Sequence, residues 1–118
     1  MIVAVYGTLK RGMANHQLLV DCRFVGEDCL ANIVLYELDE FPAARLEPSD
    51  GIQIEVYEVS QRVLAKLDKL EEVDYAMPEN GLYRRVQCAT RFGVAWIYLY
   101  NGMVQGFPRL TTGSWRPI

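Results

Sequence analysis

The chain has 118 residues, 51% hydrophobic and 23% charged, with no Pro/Gly/Ser tract and no block of like charge, a composition that excludes disordered and fibrous classes. Lys plus Arg number 12 against 15 Asp plus Glu, a net charge of -3 that repels a phosphate backbone, so nucleic acid is not an expected partner. No apolar run approaches the roughly 20 residues of a bilayer span and no basic stretch precedes the first one, so we expect a cytoplasmic protein with no membrane partner, folded as one domain over residues 1–118.

In chain order, residues 2–6 (IVAVY) form a nearly continuous apolar run ending at Gly7, the pattern of a strand buried on both faces. Gly7-Thr8-Leu9-Lys10-Arg11-Gly12 then reads as a loop, and Asn15 is placed to cap a short helix carrying Gln17, Leu18, Leu19 and Val20. Cys22 to Leu38 is rich in β-branched and aromatic residues but is interrupted at Gly26–Asp28, which predicts two strand pieces. Asp50-Gly51 is a turn signal, and Ile52, Ile54 and Val56 alternate with polar neighbours after it, predicting a hairpin. Ser60 can cap a helix over Gln61–Val73. Tyr83–Thr90 and Gly93–Tyr100 read as two strands joined around Arg91-Phe92-Gly93, the second apolar enough to be interior. Beyond Tyr100, Gly102, Gly106, Pro108, Gly113 and Pro117 predict a tail with little regular structure. The sum is a mixed α/β (α+β) fold, with a mostly antiparallel, curved or closed sheet and two main helices packed on it.

Elimination narrows the chemistry. His16 is the only histidine, and Cys22, Cys29 and Cys88 are odd in number and far apart, which argues against a disulfide framework and a metal site and leaves the cysteines as small core residues. An enzyme built from this chain would take its acid/base group from a carboxylate.

At about 100° per residue, the helix from Ser60 sets Val63, Leu64, Leu67 and Leu70 on one arc, and Glu71 falls about 50° from its centre. Asp68 falls at the margin and Glu72 on the far side with Lys69, so Glu71 is the one charged residue of this helix expected to point inward. Burying a carboxylate costs several kcal/mol unless it is paired or its pKa rises. Glu71 can therefore be a structural partner of Arg84 or Arg85, or an acid/base in a cavity. The loop from Gly7 to Gly12 can be a plain turn, or can aim successive backbone amides at an anion; it is neither a phosphate-binding P-loop nor a GxGxxG sequence.

Taken in order, YGTLKRG (Tyr6–Gly12) followed by Asn15-His16, then Glu55-Val56-Tyr57, then Leu67-Asp68-Lys69-Leu70-Glu71, then Leu82-Tyr83-Arg84-Arg85, the chain resembles the γ-glutamylcyclotransferase-like family over most of its length, nearest to the γ-glutamylamine cyclotransferase branch. The resemblance implies a small β-barrel with flanking helices and a cavity between the YGTL loop and the acidic helix. It implies Glu71 as the acid/base, Tyr6, Gly7, Thr8 and Leu9 as substrate-binding residues, and Tyr83 at the cavity border. Ile54 stands where many relatives carry glycine and is expected to narrow that cavity; His16 is expected to hydrogen-bond within the loop-to-helix junction.

The implied reaction converts a γ-glutamyl amine or small γ-glutamyl peptide to 5-oxoproline and the free amine. The substrate's own α-amino group attacks its γ-carbonyl, with no metal and no cofactor, in a monomer or weak homodimer. The alternative is a non-catalytic module that holds a small carboxylate metabolite in the same cavity.

Overall fold

In the computed structural model, which describes residues 1–117, the strands are β1 (Ile2–Val5), β2 (Arg23–Leu30), β3 (Ile33–Glu37), β4 (Pro42–Leu46), β5 (Ile52–Glu58), β6 (Tyr83–Thr90), β7 (Gly93–Tyr100) and β8 (Arg109–Leu110). One α-helix, α1 (Gln61–Leu70), follows β5, and 3-10 turns occupy His16–Leu19 and Pro78–Asn80. The strands form a five-stranded sheet in the order β2-β5-β1-β7-β6 and a three-stranded sheet in the order β4-β3-β8. Neighbours are antiparallel except for β1 beside β7, which run parallel.

The central place of β1 accounts for its apolar run: both faces are covered. Ala4 and Tyr6 join Ile54, Val56, Ile97 and Leu99 against Ile33, Leu35 and Ala44 of the small sheet, while Val3 and Val5 join Tyr57 and Tyr98 against Leu64 and Leu67 of α1. The result is three layers, with the large sheet between the small sheet and the helix. Among the described residues, no helix is long and apolar enough to cross a membrane.

Several expectations are corrected. The large sheet ends at β2 and β6, which do not pair, so it is not a closed barrel. The second expected helix is a 3-10 turn over His16–Leu19. Its would-be cap, Asn15, sends its side-chain amide to Thr8 Oγ1 at 3.0 Å, and four residues are too few to repay α-helix nucleation. Helix α1 ends at Leu70, three residues before the expected Val73. The hairpin at Asp50-Gly51 does not form, because β4 belongs to the small sheet and β5 to the large one, and the turn carries the chain between them. Strand β4 was not foreseen; its PAARL sequence lacks the β-branched content of the other strands. Cys88 is buried, but Cys22 is half-buried and Cys29 exposed, so the cysteines are not uniformly core residues.

Candidate active site

Strand β1 stops at Val5 and the chain turns sharply through Gly7, where an added Cβ would lie 2.5 Å from Pro42 Cγ. That close approach explains the glycine without any appeal to its dihedral freedom. The loop is braced from behind. Glu55 of β5 accepts the Arg11 backbone amide at 2.9 Å and the Tyr57 hydroxyl at 2.8 Å. Buried Lys10 hydrogen-bonds Ser114 Oγ and donates to the Trp115 carbonyl at 2.8 Å. His16 Nδ1 lies 2.9 Å from the Leu9 carbonyl, the junction role expected of it. With its back secured, the loop leaves the amides of Gly7, Thr8 and Leu9 without an acceptor among the described residues.

These amides face a cavity of about 500 Å³, a size suited to a small metabolite. Tyr6, Gly7, Thr8, Leu9, Glu71 and Tyr83 all line it, so every site residue expected from the sequence is brought to one place. Ile54, by contrast, sits in the core between the sheets and does not line the cavity, so it does not narrow it.

Glu71 owes its position to the way α1 ends. The Glu72 amide donates to the Lys69 carbonyl at 3.2 Å and the Val73 amide to the Asp68 carbonyl at 3.0 Å, the paired bonds of a Schellman motif. Glu72 takes the left-handed position at φ 54°, where glycine is usual. Backbone bonds from Leu82 to Glu72 (3.1 Å) and from Tyr83 to Glu71 (3.2 Å) clamp this turn against β6. The Glu71 side chain enters no ion pair or hydrogen bond among the described residues; Arg84 binds Asn101 Oδ1 instead, and Arg85 approaches Asp68. The expected alternative of a salt bridge to either arginine is therefore not realised. Burial first, and the nearby Glu72 carboxylate second, push the Glu71 pKa up to about 7.

The tyrosines around it are fixed by their hydroxyls. Tyr6 donates to the Tyr98 carbonyl at 2.6 Å and Tyr83 to the Pro42 carbonyl at 2.8 Å. Burial, ahead of the Glu71 charge, pushes the Tyr83 phenol well above its ordinary range, so it stays protonated and serves as wall and brace.

Asp68 corrects the reading of α1, because it too points inward and is only 3% exposed. It accepts the hydroxyls of Tyr98 and Tyr75, each at 2.7 Å, and its Oδ1 lies 3.0 Å from Arg85 Nε, whose N–H is not aligned into a hydrogen bond. The Arg85 guanidinium also stacks over Trp96, 4.2 Å from the ring centroid. The signal for Asp68 was its place one turn after Leu64. The signal for Tyr98 was a phenol in an interior strand that must find a partner.

The family model described as "Gamma-glutamyl cyclotransferase, AIG2-like" matches residues 3–117. The gamma-glutamylcyclotransferase family protein YtfP of Escherichia coli is 31% identical over 116 residues, covering 98% of this chain and 96% of that one, and its solution structure superposes with a TM-score of 0.76. A Pyrococcus horikoshii crystal structure at 28% identity, covering 94% of this chain and 86% of its own, also gives a TM-score of 0.76. The gamma-L-glutamyl-butirosin B gamma-glutamyl cyclotransferase of Niallia circulans is 28% identical over 102 residues, 82% of this chain and 65% of its own. By sequence and by fold, the chain belongs to the AIG2-like gamma-glutamyl cyclotransferase family of enzymes.

Proposed function

We propose that the protein releases 5-oxoproline from a γ-glutamyl amine or small γ-glutamyl peptide, with Glu71 as the single acid/base. The observation that carries this reading is a carboxyl group without a partner, raised to about 7, on the wall of a cavity that also holds three unoccupied loop amides. A carboxyl near pH 7 can accept a proton and return it within one turnover. The substrate supplies its own nucleophile, and an α-amino group held against the γ-carbonyl reacts at a high effective molarity, so no covalent enzyme intermediate is needed. In this mechanism Glu71 takes a proton from the α-ammonium, the amides of Gly7, Thr8 and Leu9 receive the oxyanion, and Glu71 passes the proton to the departing nitrogen. Tyr6, Tyr83 and Tyr98 supply walls that exclude water.

The test is incubation with a panel of γ-glutamyl compounds and detection of 5-oxoproline by mass spectrometry. Product from the parent protein and its loss in Glu71→Gln support the proposal; undiminished product in that variant removes Glu71 from the mechanism. Saturable binding of γ-glutamyl compounds with no product would instead establish the non-catalytic module.

A further inference from the structure

The wall of the cavity has an unequal charge. Its carboxylates are Glu40, Glu71 and Glu72, and among the described residues no lysine, arginine or histidine lines it. The basic side chains close by in sequence are engaged elsewhere: Lys10 with the C-terminal segment, Arg11 with Glu27 and Glu55, Arg85 with Asp68. Glu40 and Glu72 are exposed, which places them at the mouth, and neither joins an ion pair among the described residues. Phe41, Leu70 and Leu82 form an apolar stretch of the same wall.

The glutamyl head common to all substrates carries one α-carboxylate and one α-ammonium, which the loop amides and Glu71 can meet. The mouth carboxylates are surplus to that head, and they stand where the other half of the substrate must emerge. On the cyclotransferase reading, on which this inference rests, we propose that the cavity takes γ-glutamyl amides whose departing amine carries a second positive charge. Glu40 and Glu72 are then specificity-determining residues. An alkyl chain of the diamine lies along the apolar wall and its distal ammonium reaches the mouth. Leaving groups that carry a carboxylate, as in γ-glutamyl amino acids, meet like charge and are disfavoured.

Protons and bonds balance in this reaction. The bond from the α-nitrogen to the γ-carbonyl carbon forms, the bond from that carbon to the amine nitrogen breaks, and the two protons lost by the α-ammonium leave with the amine as its second ammonium.

The experiment compares three γ-glutamyl amides of equal length, those of 1,4-diaminobutane, butylamine and 4-aminobutanoate, by kcat/KM for 5-oxoproline release. The expected order is cation over neutral over anion, by roughly ten-fold per step at low salt and less at high salt. In Glu40→Gln and Glu72→Gln, both surface changes whose folding is checked by thermal melting, the ratio of cation to neutral substrate falls toward one. Equal kcat/KM for the three substrates, or variants that slow all three by the same factor, would overturn the proposal, since the mouth would then serve the shared head or nothing. If none of the three yields 5-oxoproline, the cyclotransferase reading itself fails, an outcome distinct from equal turnover.

Discussion

Glu71 couples folding to pH. The folded chain keeps its proton from the ordinary range, 4.5, up to about 7, whereas the unfolded chain releases it earlier. The folded state therefore binds more protons across that window, and stability falls as pH rises through it, by at most about 3 kcal/mol at 1.36 kcal/mol per unit. Glu71→Gln keeps the shape and removes the charge. It is expected to melt above the parent at pH 8, with the difference vanishing near pH 4, while 5-oxoproline release drops on the order of 10²- to 10⁴-fold. Thermal melts at the two pH values read the first effect and product assays the second. The base form of Glu71 must also be present for turnover, so kcat/KM is expected to rise through about pH 7. Glu72→Gln removes the nearby like charge and shifts that limb to lower pH, readable from the pH profile with any substrate that is turned over. Glu71 was legible in the sequence because helical period alone sends it inward. Asp68 was not, because a residue at the edge of an arc is settled by its neighbours, here two phenols and a guanidinium from residues distant in the chain.

Among the elements, α1 is joined to the sheet by more than its leucines. Asp68 connects it to Tyr98 of β7, to Arg85 of β6 and to Tyr75 in the segment leading to β6. Asp68→Ala would leave Arg85 without its counter-charge and two hydroxyls unpaired, and is expected to cost about 3 kcal/mol or more in chemical denaturation. The strands with period-two or wholly apolar patterns, and the helix start at Ser60, were readable because local chemistry decides them. Ser60 Oγ does accept the Val63 amide, at 3.1 Å. The helix end was harder to read, because it depends on Glu72 adopting a conformation that its side chain disfavours, held there by Leu82 and Tyr83.

At the scale of the whole molecule, the split into two sheets lay beyond the reach of local pattern. Asp50-Gly51 carries a genuine turn signal, but whether the chain doubles back or crosses to another layer depends on which strand waits on the far side. The tail was read as irregular, and it does contribute only the two-residue β8, yet it also places Trp115, 4% exposed, in the core between the sheets. Trp115→Ala is expected to lower stability by about 3–5 kcal/mol in a urea titration and to loosen the Lys10 contact behind the YGTL loop.

The bond from Tyr6 to Tyr98 joins residues 92 positions apart, and the bond from Tyr83 to Pro42 spans 41. Loops of that length close late on a folding route, after shorter-range pairings are in place. No nascent or partly melted form of the chain can then assemble the catalytic constellation, and catalytic competence becomes a reporter of the fully native state. During refolding, its recovery should coincide with the slowest spectroscopic phase and never precede it.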